Sequence, residues 1–181
     1  MKKYAVLLRG INVGGKNKIP MASLKLALEE VGFVGVMTYI QSGNVIVASN
    51  LSSQEITHII ETMLPQKFAL DSSIIKVLVL SHAQLEAVIT NKPKGFGEKP
   101  DMYHSDAIFL MGASVDEALQ VFSLKEGIDA IWPGDGVIYS QRLSSERTKS
   151  RLNKIIGTPV YASMTIRNWN TTTKLLTLLD Q

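Results

Sequence analysis

The sequence predicts an α+β fold in two halves, each ordered strand, helix, hairpin, helix, strand, with a helix after the second half. Three observations carry this. Apolar runs of strand length alternate with segments whose apolar residues recur at helical spacing. Gly, Asn, Asp and Ser clusters fall where hairpin turns are needed. Near the middle, Asn91-Lys92-Pro93-Lys94-Gly95-Phe96-Gly97-Glu98-Lys99-Pro100 is the most loop-like passage of the chain.

In the first half, residues 3–9 enclose the apolar run Tyr4-Ala5-Val6-Leu7-Leu8, a strand. Met21 to Val31 sets Leu24, Leu28 and Val31 at helical spacing, with Ala22 and Ala27 filling in, and Gly32 stops the helix. Val34 to Gln41 and Val45 to Ala48 read as strands joined through Ser42-Gly43-Asn44, where Gly43 can take a positive φ. Ser52-Ser53-Gln54-Glu55 supplies hydroxyl caps to a second helix with the stripe Ile56, Ile59, Ile60 and Met63, and Pro65 lies close to its end. Ile74 to Leu80 is a fourth strand. This order is the split βαβ, or ferredoxin-like, unit. A short helix over His82 to Ile89 leads to the central passage.

The order then recurs without visible repetition of residues. Ala107 to Met111 reads as a strand and Val115 to Phe122 as a helix. Ile128 to Trp132 and Val137 to Ser140 are strands around the turn Pro133-Gly134-Asp135-Gly136. Glu146 to Ile156 reads as a helix, Pro159 to Ser163 as a short strand, and Asn168 to Asp180 as a closing helix with Leu175, Leu176, Leu178 and Leu179 on its apolar side. The predicted division is a first ferredoxin-like subdomain over 1–90, a linker over 91–104, and a second over 105–181 that includes the closing helix.

At 181 residues, 45% hydrophobic and 19% charged, the composition is that of an ordinary globular protein. A net charge of +3 permits anionic partners but falls short of a dedicated nucleic-acid arm. The absence of cysteine excludes disulfides, thiolate metal sites and a cysteine nucleophile. Lys2-Lys3 precedes an apolar run too short for a signal peptide, and Arg9 interrupts it. No segment approaches the ~20 apolar residues of a spanning helix, so a cytoplasmic location without membrane contact is expected.

The densest cluster of polar and glycine residues is Arg9-Gly10-Ile11-Asn12-Val13-Gly14-Gly15-Lys16-Asn17-Lys18-Ile19-Pro20, between the first strand and first helix. It fits the phosphate-binding P-loop pattern except at its last position, where Asn17 stands in place of the Ser or Thr that would hold magnesium. Pro20 also delays the helix whose amides a P-loop needs. A P-loop NTPase is therefore rejected, while an anion site built from exposed amides with Arg9, Lys16 and Lys18 survives. Thr165-Ile166-Arg167-Asn168-Trp169-Asn170-Thr171-Thr172-Thr173 precedes the closing helix, and Asn168 or Asn170 could cap it. Ser42 lacks a nucleophile-elbow pattern and an evident base. His58, His82 and His104 are widely spaced, so neither a metal nor another cofactor is expected. His58 is expected on a helix surface and the other two in loops or caps. Arg142, Arg147, Lys149, Arg151 and Lys154 form a basic cluster on or beside one helix, an ordinary solvated face.

The run from Arg9 to Gly15, Thr38-Tyr39-x-Gln41-Ser42-Gly43-Asn44, and Thr165-x-Arg167-Asn168-Trp169-Asn170-Thr171 together resemble a bacterial family of unknown function, number 1697 among domains of unknown function. The resemblance implies a cytoplasmic protein of two ferredoxin-like subdomains and implies no activity. By residue matching, Arg9, Asn12, Gly14, Gly15, Ser42, Gly43, Asn44, Arg167, Asn168 and Asn170 occupy its motif positions, and Ser150-Arg151-Leu152 looks like a weaker motif of it.

Three functional readings follow. In the first, a small phosphorylated or carboxylated ligand is bound at the glycine-rich loop and the Arg167-Asn168-Trp169-Asn170-Thr171 motif. Arg9 and Arg167 neutralise it, and Asn12, Asn44, Asn168 and Asn170 supply directional hydrogen bonds. No residue presents itself as a strong general base, so no reaction is named. In the second, the polar motifs pack the two halves together in a structural or interaction module. The third is RNA or single-stranded DNA binding, against which the third strand lacks aromatics and the first offers only Tyr4. The oligomeric state is not encoded in any of these features. Convergence of the loop after the first strand with the hairpin between strands two and three is expected only from packing of the two halves.

Overall fold

The computed structural model describes residues 1–71 and 75–181 and is a mixed α+β protein with two four-stranded antiparallel sheets. The chain divides into one unit of Met1–Glu86 with Leu175–Gln181 and a second of Ala87–Lys174.

In the first unit, β1 (Lys2–Arg9) is buried from Tyr4 to Leu8, which identifies it as a central strand. It pairs antiparallel with β3 (Asn44–Ser49) and β4 (Lys76–Ser81), and β2 (Val34–Tyr39) lies outside β3, giving the order β2-β3-β1-β4. Alternation along the strands puts Tyr4, Val6, Leu8, Val45, Val47, Val77 and Val79 into one core. Leu24 and Leu28 of α1 (Met21–Glu30) and Ile56, Ile60 and Leu64 of α2 (Ser53–Lys67) join them. Each such fully buried side chain contributes about 1.5–3 kcal/mol over an exposed one. Ser52 caps α2 in a reciprocal box with Glu55, so the hydroxyl read as a cap acts as one. Pro65 sits inside α2, near its end. Of the predicted fourth strand, Ile74 lies outside the described residues. α3 (His82–Thr90) follows, and the His82 Nε2 lies 2.6 Å from the carboxylate of Asp180.

In the second unit, β5 (Tyr103–Leu110) is central, flanked by β7 (Val137–Leu143) and β8 (Met164–Asn168), with β6 (Asp129–Pro133) outside β7. The order is β6-β7-β5-β8. On one face Ile108, Leu110, Ile138 and Met164 pack with Ala118 of α4 (Val115–Leu119) and Ile155. On the other, Phe96 meets Trp132, Tyr139 and Trp169 edge-on, at centroid distances of 6.0, 5.3 and 5.0 Å. The Tyr139 hydroxyl donates to the Val88 carbonyl at 2.6 Å. Phe96 comes from the passage read as a linker, yet it is among the largest fully buried side chains. Trp169 opens α5 (Trp169–Leu179).

Three predicted elements need correction. The helix over Val115 to Phe122 ends at Leu119, after its capping box of Ser114 and Glu117 has set its start. The helix over Glu146 to Ile156 is instead two 3₁₀ segments, Ser144–Lys149 and Leu152–Gly157. The break has a cause: the Asp129 carboxylate accepts from Ser150 Oγ at 2.6 Å and from the Arg151 amide at 2.8 Å, drawing the chain out of helical register. The predicted strand Pro159 to Ser163 is a third 3₁₀ segment, and the strand follows it as β8. The basic cluster is therefore not on one helix: Arg142 is on β7, and the other four cations are distributed over the irregular segment. Among the described residues, no helix is long and apolar enough to cross a membrane.

Candidate functional site

In the first unit the glycine-rich stretch is a built loop. Gly14 and Gly15 take φ of +59° and +75°, both central positions of a tight turn closed by the Lys16 amide donating to the Val13 carbonyl at 3.0 Å. The turn tip is exposed, Val13 at 64%. Asn12, itself at φ +53°, holds the base of the loop. Its Nδ2 donates to the carbonyls of Ile19 at 3.0 Å and Gln41 at 2.9 Å, and its Oδ1 accepts from the Ile19 amide at 2.7 Å. Asn17 donates from Nδ2 to the Gly10 carbonyl and from its amide to Asp71, at 2.8 and 2.7 Å.

The second motif meets the first within this unit. β3 runs antiparallel to β1 with Leu7 opposite Asn44, so the β2–β3 turn arrives at the end of β1. The Leu8 amide donates to the Gly43 carbonyl at 2.8 Å. A Cβ on Gly43 would stand 3.0 Å from Ile11 and Leu8 side-chain atoms, and its φ of +76° also favours glycine. Asn44 is fully buried and donates to the Tyr39 carbonyl and the Ser42 hydroxyl at 3.2 and 2.9 Å. Convergence of these two loops therefore needs no packing between halves, because strand pairing inside one unit produces it. Ser42, Gly14 and Gly15 remain exposed, and Arg9 is half-buried at the end of β1. Tyr4 is buried and donates its hydroxyl to the Leu51 carbonyl at 2.9 Å, so it offers no face for stacking.

In the second unit, alternation along β8 places Thr165 and Arg167 on one face and Asn168 on the other. Arg167 is buried, and its Nη1 donates to Thr165 Oγ1 at 2.9 Å and the Ile166 carbonyl at 2.8 Å. Burial pulls this guanidinium down to about 10, leaving it charged at neutral pH. Asn168 caps α5, its Oδ1 accepting from the Asn170 amide at 2.8 Å. Thr172 and Thr173 turn their hydroxyls back onto the carbonyls of Asn168 and Trp169. Beside the cap lies a recess of about 100 Å³ lined by Asn168, Trp169, Asn170, Tyr103, His104 and Ser105, with Gly97, Pro100 and Ser144. Asn170 is exposed and Arg167 does not line the recess.

Asp106 is the partner of His104, and nothing local in the sequence marks the two as a pair. Their i, i+2 spacing puts both on one face once β5 is known to begin at Tyr103, ahead of the predicted start. His104 Nε2 lies 3.0 Å from the Asp106 carboxylate. Burial pushes the Asp106 carboxyl above its ordinary range, while the charges of His104 and Arg142 pull it back without cancelling the shift. His104 is thus a strand residue, not a loop or cap one, and it reaches the recess with a carboxylate behind it. Among the described residues, no group of three or more His, Asp or Glu could hold a metal ion.

The chain is similar to proteins already known. A family model described as a protein of unknown function, DUF1697, matches residues 1–139, a span that ends before the Arg167 motif. The solved structure of the conserved bacterial protein SP0830 from Streptococcus pneumoniae is 31% identical and superposes with a TM-score of 0.81, covering 98% of each chain. No curated protein matches. With three-quarters of its length inside the family model and that likeness running end to end, the chain belongs to DUF1697, a family of unknown function.

Proposed function

We propose that this protein binds a small anionic molecule, phosphorylated or carboxylated, and that the recess beside the start of α5 receives its charged group. The observation that carries this reading is the chemistry of that recess: Asn168, Asn170, Tyr103, His104 and Ser105 converge at the first turn of an eleven-residue helix. The partial positive charge of a helix start favours an anion. His104 reaches the recess with its Nε2 turned to the Asp106 carboxylate. At about 100 Å³ the space suits an oxyanion group with a water or two rather than a whole cofactor.

In the first unit, Arg9, Ser42 and the exposed Gly14 and Gly15 amides are the groups assigned to the same class of ligand, with Asn12 and Asn44 shaping the loop that presents them. The equal strand orders of the two sheets support a tandem ferredoxin-like reading for the units. The location proposed for the protein is the cytoplasm.

A second reading rests on a specific observation. Asn12 and Asn44 spend their side-chain amides on main-chain groups and on Ser42 within one unit. The motif would then secure loops and bind nothing.

A thermal-shift panel of inorganic phosphate, sugar phosphates, nucleotides and carboxylic metabolites separates the two. A ligand at ~100 times its Kd adds about 2.7 kcal/mol, which raises Tm by roughly 5–11 °C for a chain of this size. Loss of the shift in Asn170→Ala assigns the ligand to the recess, and loss in Arg9→Ala assigns it to the glycine loop. A flat panel with both variants folded as wild type refutes ligand binding and leaves the loop-securing reading.

A further inference from the structure

A second cavity of about 200 Å³ lies in the second unit, and it has a different character. Its floor is the sheet face carrying Asp106, Ser140 and Arg142 at one end and Ile108 and Ile166 at the other. The 3₁₀ residues Leu152, Ile155 and Ile156, with Phe122 and Tyr161, supply the apolar enclosure. Ile156 is 56% exposed, a large apolar side chain left at the surface where a cavity opens. An engineered cavity of ~150 Å³ admits benzene, so this one accommodates a ring with a polar edge.

The polar end decides what that edge must be. Arg142 Nε is buried and has no hydrogen-bond partner among the described residues, a state that natural interiors rarely leave uncorrected. Arg142 also lines the cavity, where its guanidinium supplies donors. Beside it the Asp106 carboxylate, held by His104 through one oxygen, calls for a donor. Arg142 stands opposite Asp129 in the β6–β7 register and shares the cavity lining with Asp106, so its single positive charge is set against two carboxylates and the cavity does not favour an anion. We infer that this cavity binds a small uncharged molecule with a ring body and an amide- or lactam-type edge, its carbonyl toward the Arg142 guanidinium and its N–H toward Asp106. Nucleobases and aromatic amides share that edge. This site is separate from the recess beside α5, and either assignment stands if the other falls.

The test uses three probes with one ring: benzamide, benzoate and toluene. Each is titrated into the nitrogen-labelled full chain while the Arg142 Nε–Hε resonance, assigned by its disappearance in Arg142→Lys, is followed by NMR. Benzamide should move that resonance with a Kd of ~1 mM or below, and benzoate and toluene should bind at least tenfold more weakly. Asn153→Trp, a change at an exposed rim residue that leaves the core untouched, should block the mouth and weaken benzamide at least tenfold. An unmoved Arg142 resonance at saturating benzamide would overturn the inference. So would benzoate binding as tightly as benzamide, which would make the cavity an anion site, or toluene doing so, which would leave the polar edge without a role.

Discussion

Asn12→Ala is the most direct probe of how the glycine loop is held. The substitution removes two donated and one accepted hydrogen bond, to Ile19 and Gln41. Each is worth about 0.5–1.5 kcal/mol net, and the bond to Gln41 belongs at the low end because it is exposed. It also places alanine at φ +53°, a conformation asparagine tolerates better, adding about 0.5–1 kcal/mol. The total is about 2–4 kcal/mol, read as a shift in urea midpoint at constant m-value. Asn12→Gly separates the two parts, since glycine accepts the dihedral but restores no hydrogen bond; it should recover no more than about 1 kcal/mol. Asn12→Asp keeps the acceptor for the Ile19 amide but turns an oxygen toward two carbonyls, and should be no better than alanine. If Asn12→Ala stays within about 0.5 kcal/mol of wild type, the side chain is not a clamp, and its place in the motif requires a ligand instead.

Gly97→Ala should destabilise by roughly 2–4 kcal/mol, because a Cβ there would run into the Trp169 indole at φ +74°, whereas Gly95→Ala, at φ +81° in open space, should cost about 1 kcal/mol. Equal losses in thermal or urea melts would refute the packing of Trp169 against that glycine. Asp129→Asn should cost about 1–2 kcal/mol at neutral pH through weakened bonds to Ser150, Arg151 and the Lys125 amide, at 2.6, 2.8 and 2.9 Å. Its pH profile should have a definite sign. Burial pushes Asp129 up, but these hydrogen bonds and the Arg142 charge outweigh it and leave its folded value lowered. The stability it confers is therefore present above the ordinary 3.8 and lost as pH falls through the lowered value. Asp106 is raised, so its contribution is fully present below 3.8 and lost as pH rises through its folded value. Stability differences between each Asn variant and wild type, measured from acid to neutral pH, should slope in opposite directions. Parallel slopes would show that the two carboxylates do not occupy opposed environments.

The elements legible in the sequence were those fixed by their own periodicity. β1 declares itself by an unbroken apolar run because it is central and buried along Tyr4 to Leu8, and α2 by a cap and stripe that lie within one segment. Elements fixed by a distant partner were not legible. Glu146 to Ile156 carries enough apolar and charged residues for a helix, but Asp129, more than twenty positions earlier, takes the Ser150 hydroxyl and the Arg151 amide. A local pattern holds no record of that bond. The same rule governs the candidate site. The glycine loop and the Ser42-Gly43-Asn44 turn were visible as motifs, while their meeting depends on the register of β1 with β3, which pairs Leu7 with Asn44. The pairing of His104 with Asp106 is illegible for a narrower reason: their shared face exists only if Tyr103 begins a strand, and the polar stretch Tyr103-His104-Ser105-Asp106 has no apolar alternation to announce one. A strand that is polar along half its length, and central in its sheet, departs from the pattern of a packing element. Where a central strand gives up buried apolar contacts for a histidine, an aspartate and a facing arginine, hydrophobic stabilisation at that end of the sheet is reduced, and the polar groups placed there are the ones to test for a ligand.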